Sequence, residues 1–428
     1  MKKYKVLIFP GGSEIGLEIH KALCDCKDIQ LYSAGLDVSN HAPYVFTEHF
    51  KIPSIHEPGW INALNQVIDA NSIDYIFPAY DDIIVALVEK SQYIKAKIVT
   101  SPLETCLITR FKSKTYKVLF GTIPVPETYH SLHEIKQFPV FVKPDKGQGS
   151  QDTHIVYNSQ DISFFLDKKN EYIITEYLPG DEYTIDCFSH RDLGLVFCSG
   201  RKRIRTKSGI SMSISNANID QELFIKYAEL ITQKLNFHGV WFFQLKRDKY
   251  GEYKLLEVAP RVAGAMAFHR VQGINFPLLS IYEQERVPIE IINNKFDLTM
   301  DRALINRYIH NVDYKTVYVD LDDTLVISNK VNLDLIKFLY QCINNTKKIV
   351  LLTKHTGDIY DFLKKYRIQG IFDNIIQINK LEDKAKYIIE SPAIFIDDSF
   401  QERKSISLKL GIPTFDNSMI EMLLDDRK

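Results

Sequence analysis

Residues 139–151 read Pro-Val-Phe-Val-Lys-Pro-Asp-Lys-Gly-Gln-Gly-Ser-Gln. An apolar strand ends in Lys143, and the loop behind it carries Gly147, Gly149 and Ser150. Glycines let the main chain approach a polyphosphate, and the lysine supplies compensating charge. Glycine-rich loops are common, so this stretch gains meaning only from its surroundings. Downstream, residues 175–186 read Thr-Glu-Tyr-Leu-Pro-Gly-Asp-Glu-Tyr-Thr-Ile-Asp: a strand, a bend and a second strand. The bend offers main-chain donors and acceptors to a base edge, and Glu182 is a charged acceptor for ribose hydroxyls. Further on, 242–246 (Phe-Phe-Gln-Leu-Lys) and 255–261 (Leu-Leu-Glu-Val-Ala-Pro-Arg) read as a hairpin turning at Lys249-Tyr250-Gly251-Glu252. Paired strands would aim Gln244 and Glu257 at one point, and such oxygen ligands suit Mg²⁺, which uses one or two carboxylates plus phosphates.

These strands sit in a region with an α+β texture, strands with glycine turns interrupted by a helix at about 221–235. The chain before it alternates differently. Lys5–Phe9, Gln30–Ala34 and Tyr75–Pro78 read as strands, and 14–23, 60–70 and 82–89 as helices. Strand–helix alternation predicts a parallel, doubly wound sheet. A polar, irregular stretch follows at 293–314, and alternation then resumes: strands at 316–319, 348–352 and 393–396, helices at 333–341, 358–366 and near 383–390. The expected fold class is therefore α/β and α+β multidomain. A Rossmann-like domain spans 1–104, an α+β region 105–295 and a second α/β domain 314–428.

Composition narrows the function classes. Hydrophobic residues make up 45% of the 428 and charged residues 25%, ordinary globular values. A net charge of -1 argues against a dedicated nucleic-acid or anionic-membrane binder. The longest apolar runs are too short to span a membrane, and Pro10-Gly11-Gly12 interrupts the first one too early for a signal peptide. Six cysteines at 24, 26, 106, 187, 198 and 342 form no C-x-x-C pair, so reduced thiols in a cytoplasmic protein are the expectation.

Two stretches have double readings. Gly11, Ser13 and Gly16 follow the first strand, with Asp37 near the place of a ribose-binding acid. They could serve a nucleotide, or simply permit a tight turn and close helix packing; the second is the more economical. Arg201-Lys202-Arg203-Ile204-Arg205-Thr206-Lys207-Ser208-Gly209 is either a solvated charge run or a phosphate-facing loop. In the second case its cations, Arg203 among them, would stabilise transferring charge. Arg261, just beyond the second hairpin strand, could hold a phosphoryl group or a substrate carboxylate bidentately.

The last domain has its own constellation. Val317–Val319 is an apolar strand running into Asp320-Leu321-Asp322-Asp323-Thr324. Acids at the carboxyl end of a parallel strand lie where open α/β sheets keep their ligands. One can attack phosphorus while the other handles the leaving-group proton. Thr353, Lys384 and Asp397-Asp398 follow in order, offering a hydroxyl, a cation and metal carboxylates.

Residues 1–290 resemble the ATP-grasp superfamily, specifically the carbamoyl-phosphate-synthase-like ligases. The segment Arg110-Phe111-Lys112-Ser113-Lys114-Thr115-Tyr116, followed by Ile123-Pro124-Val125-Pro126, is similar to the stretch that opens their ATP-binding region. The resemblance implies ATP and Mg²⁺ as cofactors, with Lys112 and Lys143 on the phosphates. It makes Glu176, Tyr177 and Leu178 the adenine hinge, Glu182 the ribose acid, and Gln244 and Glu257 the metal ligands. Where such ligases usually have Glu-x-Asn-Pro-Arg, this chain has Ala259 in place of the asparagine, and Gln151 stands where a glycine is frequent.

Residues 314–428 resemble the haloacid-dehalogenase superfamily. That implies Asp320 as nucleophile, Asp322 as acid/base, Thr353 and Lys384 as phosphoryl holders, and a Mg²⁺ site drawn from Asp320, Asp322, Asp397 and Asp398. The next helix begins at Leu333, so no large cap is inserted and the site is open to a bulky phosphorylated small molecule. Together the resemblances imply a bifunctional enzyme: a carboxylate–amine ligase working through an acyl phosphate, joined to a phosphatase. Its partners would be small molecules, with neither nucleic acid nor membrane involved, and a homodimer is one open assembly. Two alternatives stand beside it, an ATP-grasp kinase and a non-catalytic ATP-binding module with an active phosphatase.

Overall fold

The computed structural model describes residues 3–427 except 148, 150, 167, 169, 170, 218 and 295. The chain forms two compact units, divided at Leu304/Ile305.

The first unit opens with a five-stranded parallel sheet. Its strands are β1 (Tyr4–Phe9), β2 (Ile29–Gly35), β3 (His49–Lys51), β4 (Tyr75–Pro78) and β5 (Lys97–Ile98), in the order β3-β2-β1-β4-β5. Helices α1 (Glu14–Leu23), α2 (Trp60–Asn71) and α3 (Asp81–Glu89) alternate with them. The glycine turn serves packing here. The Ser13 hydroxyl caps α1 by accepting from the Gly16 N–H at 2.9 Å. A Cβ at Gly16 would come within 2.6 Å of the Pro10 carbonyl, so only glycine lets α1 start this close to β1. Asp37 pairs with Lys51 at the surface.

Helices α4 (Leu103–Thr109) and α5 (Lys112–Leu119) lead into a small antiparallel sheet of order β6-β9-β7-β8. Its strands are β6 (Thr128–Tyr129), β7 (Val140–Pro144), β8 (His154–Val156) and β9 (Tyr172–Glu176), with α6 (Ser159–Leu166) beside them. A larger antiparallel sheet follows, of order β14-β13-β10-β11-β12-β15. It comprises β10 (Glu182–His190), β11 (Gly194–Lys207), β12 (Ile210–Asn216), β13 (Gly239–Arg247), β14 (Tyr253–Ala259) and β15 (Thr299–Asp301), with α7 (Gln221–Thr232), α8 (Ala267–Arg270) and α9 (Phe276–Gln284).

Strand alternation gives this sheet two faces. Tyr183, Ile185, Phe243 and Leu245 join Phe224, Ala228 and Ile231 of α7 in one core. Phe188, Val240, Phe242 and Ala259 face the other way and share a core with Val6, Ile8 and Phe77 of the parallel sheet. The boundary expected at 104/105 is thus a change of sheet without a break in the hydrophobic core.

The basic run departs from both expectations, for it is neither a solvated face throughout nor a loop. The strand expected at 193–199 continues to Lys207, giving β11 a length of 14 residues. Arg201 and Arg203 are buried, whereas Arg205 and Lys207, past an irregularity in the pairing with β12, are exposed. Arg201, 1% exposed, donates to wholly buried Asp186 from Nε at 2.6 Å and from Nη2 at 3.3 Å. Burial pushes the Asp186 carboxyl up, but Arg201, with His269 at 3.3 Å, outweighs it and holds it below the usual range.

The second unit is a parallel sheet of order β20-β19-β16-β21-β22 with a small hairpin. The strands are β16 (Thr316–Val319), the hairpin pair β17 (Val326–Ile327) and β18 (Lys330–Val331), β19 (Lys348–Thr353), β20 (Asn374–Gln377), β21 (Ala393–Ile396) and β22 (Thr414–Phe415). The helices are α10 (Leu333–Asn344), α11 (Ile359–Lys365), α12 (Phe400–Leu410) and α13 (Ile420–Leu423). The helix expected near 383–390 is a single 3₁₀ turn, Lys384–Tyr387. One turn suffices to bury Ala385 and Ile388 in the same core, and the coming Ser391-Pro392 disfavours further helix. No helix among the described residues is long and apolar enough to cross a membrane.

The buried ion pair gives a stability test. Asp186→Ala would leave the Arg201 guanidinium charged, buried and without its carboxylate. We expect a loss of about 3–5 kcal/mol for the first unit, read by urea denaturation at neutral pH.

Candidate active sites

The small sheet and the polar end of the large one enclose a cavity of about 230 Å³. Each strand enters it through its own alternation. Lys143 comes from β7, Glu182 from β10, Arg203 from β11, Gln244 from β13 and Glu257 from β14, while Lys112 is the first residue of α5. Gly147 and Gly149 form part of one wall, and Glu176, Tyr177 and Leu178 another. Ser150 lies outside the described residues. Gln244 and Glu257 are directly opposite in the β13–β14 ladder, and the register shifts just after Gln244. Directly opposed side chains have Cβ atoms about 4.5–5.5 Å apart, close enough to share a cation.

The electrostatics of the cavity are cationic. Lys143 is 6% exposed, and its ammonium donates to the Tyr116 hydroxyl at 2.7 Å. Burial, helped by the charge of Lys112, lowers its pKa to about 7 against the pull of Glu257 and Glu182. Burial lowers Lys112 as well, although Glu257 opposes it. Its ammonium donates to the Gly147 carbonyl at 2.9 Å, tying the glycine loop to α5. Arg203 donates to Glu182, to Gln244 Oε1 at 3.1 Å and to the Gly209 carbonyl, while its Nε is buried without a partner among the described residues. The Glu176 carboxylate accepts from the Glu127 N–H at 3.0 Å, so its side chain fixes the bend. Tyr177 and Leu178 lie between β9 and β10 and line the cavity. A buried and a half-buried ammonium group beside opposed oxygen ligands fit a polyphosphate with Mg²⁺, which takes its remaining ligands from phosphate and water.

Arg261 corrects an expectation. It lines a smaller adjoining recess together with Lys112, Gly147 and Glu257. Its Nε and Nη2 both donate to Asp81 at the start of α3, and Nη1 donates to the Val262 carbonyl. Asp81 is held below the usual carboxylate range because Arg261 outweighs its burial. The guanidinium is therefore engaged by Asp81 and presents no open fork to a phosphoryl group. Ala259 packs into the shared core and brings no ligand atom.

Other parts of the cavity had escaped notice in the sequence. Lys246 lies two residues past Gln244 on the same face, 3.8 Å from Glu182, and period-two alternation was the available signal. Phe141 and Leu256, beside the positions that the sequence singled out on their strands, form apolar walls with Ile155. Gly209 sits against the glycine loop, where a Cβ would lie 2.3 Å from the Gly149 carbonyl carbon. No sequence pattern announces that meeting of two turns.

The second unit gathers Asp320, Lys384 and Asp397 at the carboxyl end of its sheet. Lys384 Nζ donates to Asp320 Oδ1 and Asp397 Oδ2, each at 2.6 Å. Burial pushes the Asp320 carboxyl up to about 6, with Lys384 opposing and Asp397 adding to the rise. Burial also raises Asp397, and the two acids together keep Lys384 above its ordinary value despite its own burial. Thr324 Oγ1 lies 3.1 Å from Asp398 Oδ1 and accepts from the Asp398 N–H at 2.9 Å. Thr353 is fully buried, and its hydroxyl accepts from the His355 N–H at 3.1 Å. Asp320, Asp397 and Asp398 bring ligand atoms within 4.8 Å of one another, a hard-oxygen set that fits Mg²⁺. Asp322, expected among the metal carboxylates, stands outside this set. Its carboxylate meets His355 Nδ1 at 2.9 Å instead, and sequence reading had missed that histidine.

Comparisons with known proteins agree with the first unit. Residues 168–302 match the family described as "ATP-grasp in the biosynthetic pathway with Ter operon". The chain is 29% identical over 90 residues to a D-alanine–D-alanine ligase of Fusobacterium nucleatum, covering 21% of this chain and 31% of that protein. It is 25% identical over 168 residues to the carbamoyl phosphate synthase large chain of Clostridium beijerinckii, covering 36% of this chain and 15% of that one. The chain thus matches less than a third of the length of these curated relatives. Among solved structures, N5-carboxyaminoimidazole synthetase from Staphylococcus aureus complexed with ADP superposes with a TM-score of 0.58 at 17% identity, over 71% of this chain and 83% of that one. The first unit has the ATP-grasp fold.

Lys143 carries a measurable consequence. Its pKa of about 7 lies below the unfolded value of about 10.4, so the folded protein binds fewer protons between them. The penalty is complete below about pH 7 and fades as pH rises toward the unfolded value. Without ligand, Lys143→Met is expected to raise the urea midpoint of the first unit at pH 7, with the gain shrinking by pH 10.

Proposed function

We propose that the first unit is an ATP- and Mg²⁺-dependent ligase that activates a carboxylate as an acyl phosphate for capture by an amine. The observation that carries this reading is the convergence of Lys112, Lys143, Glu182, Gln244 and Glu257 on one cavity. ATP, when bound, supplies the phosphoryl group that activates the carboxylate. Lys112 and Lys143 hold the phosphates, and Gln244 with Glu257 hold Mg²⁺. The main chain of Tyr177 and Leu178 meets the base edge between Phe141, Ile155 and Leu256, and Glu182 turns to the ribose hydroxyls. Arg203 spans Glu182 and Gln244, so it ties the ribose acid to the metal strand. Phosphoryl transfer needs mainly positioning and charge stabilisation, and this set of side chains provides both. The matches to D-alanine–D-alanine ligase and carbamoyl phosphate synthase support the ligase class.

The second unit is an aspartate-nucleophile phosphatase in this reading. Asp320 attacks phosphorus and Asp322 protonates the departing oxygen. Lys384 and Thr353 hold the phosphoryl oxygens, and Asp320, Asp397 and Asp398 hold Mg²⁺. The fusion suggests that it trims a phosphorylated substrate or product of the ligase. Its substrate is a phosphorylated small molecule, and those of the ligase are a small carboxylate and an amine.

Two assays on the full chain test the two halves separately. With a panel of carboxylates and amines, ADP and phosphate should form in an amine-dependent way, and Glu257→Ala should lower the rate by at least about 10²-fold. ADP release that ignores both acceptors, or none with any of them, would sink the ligase. In the second assay, Asp320→Asn should abolish Mg²⁺-dependent phosphate release from 4-nitrophenyl phosphate while leaving ADP formation intact. Equal phosphate release by wild type and variant would count against the phosphatase.

A further inference from the structure

The two buried acids of the second site, Asp320 and Asp397, are each held by more than one partner. Asp320 and Asp397 share Lys384, Asp397 also accepts from the Ser399 N–H, and Asp398 meets Thr324. Asp322 differs. Its side chain is 50% exposed, and among the described residues only His355 bonds to its carboxylate. His355 Nδ1 lies 2.9 Å from both oxygens, pointing into the bite of the carboxylate.

His355 is itself fixed. Its ring packs on Phe362 at 4.5 Å between centroids, and Phe362 packs on Tyr366. Its carbonyl accepts from Gln377 Nε2 at 2.9 Å, and the same amide holds the Gly357 carbonyl at 2.9 Å. Its own N–H donates to Thr353 Oγ1. The loop after β19 therefore joins the hydroxyl at Thr353 to the carboxyl at Asp322 through one residue.

We propose that His355 is a positioning residue that orients Asp322 toward the leaving-group oxygen. The inference rests on the phosphatase reading. In the step concerned, an Asp320 oxygen bonds to phosphorus and the ester phosphorus–oxygen bond breaks. The proton on the Asp322 carboxyl moves to the departing oxygen, leaving a carboxylate in the grip of His355 Nδ1–H. A freely turning Asp322 would reach that oxygen only part of the time. The loss should therefore depend on how much the leaving group needs the proton.

The test uses the full chain with Mg²⁺ and two probes, 4-nitrophenyl phosphate and phenyl phosphate. kcat/KM reports the steps through formation of the aspartyl phosphate, so it isolates leaving-group protonation. His355→Leu should lower kcat/KM on phenyl phosphate by about 10²-fold, the ordinary size of general acid catalysis, and change the 4-nitrophenyl value less than about threefold. The retained 4-nitrophenyl activity shows that the variant is folded. His355→Asn, whose amide places a donor near the old Nδ1, should restore most of the phenyl phosphate rate. An equal loss on both probes, or none on either, would overturn the positioning role. Asp320→Asn is the separate control: unchanged phosphate release in that variant removes the phosphatase reading and this inference with it.

Discussion

The buried ammonium group of Lys143, with that of half-buried Lys112 beside it, is the constraint around which the first unit is built. A buried cation is costly unless an anion answers it. Glu257 and Glu182 answer in part, and Glu182 is already shared with Arg203 and Lys246. The remaining deficit appears as the fall in the Lys143 pKa to about 7. A fold that keeps this arrangement accepts a destabilised pocket in exchange for a standing attraction to phosphate oxygens. The Tyr116 hydroxyl and the Gly147 carbonyl steady the two ammoniums without neutralising them.

The large sheet makes this possible by dividing its labour along one face. Lys246, Glu182 and Arg203 form one cross-strand row, and Glu257, Gln244, Thr184 and Arg201 form the next. Beyond them Phe242, Phe188 and Val240 turn apolar and enter the core shared with the parallel sheet. The same face is thus polar at the cavity and hydrophobic where it docks. Asp186 and Arg201 sit at the changeover, and their pairing lets charge persist inside the core. The parallel sheet need not bind a nucleotide to matter. Through that core and the Asp81–Arg261 pair it fixes the strand that carries Glu257.

Much of this was legible because it depends on short-range periodicity. Alternation along 240–247 and 253–258 put Gln244 and Glu257 on one face, and the acidic loop after Val319 marked the end of a parallel strand. What escaped depends on meetings between distant segments. Arg201 and Arg203 looked like a loop until the 14-residue strand buried them. Arg261 read as an open anion receptor because nothing local reveals Asp81, 180 positions away. Helix α12 has no apolar stripe, with Ile406 its only buried residue, so periodicity could not announce it. Lys246 was visible in principle, since it follows Gln244 by two.

The two sites are opposite solutions to one problem. Each buries a lysine between acids and each is proposed to handle phosphate, yet their charge balances differ. At the first, Lys112, Lys143, Arg203 and Lys246 face Glu176, Glu182 and Glu257, so cations outnumber carboxylates in the cavity wall by one. In the proposed reading such a wall would draw in a polyanion and tolerate the metal that travels with it. At the second, one ammonium, Lys384, stands among Asp320, Asp397 and Asp398. There burial, with a smaller push from Asp397, raises the Asp320 carboxyl, and in the proposed reading an anionic ester would meet net repulsion until a divalent cation neutralised the acids. In the proposed reading Mg²⁺ would therefore accompany the substrate at the first site and precede it at the second. That difference follows from the count of charges alone, whatever molecules the two sites process.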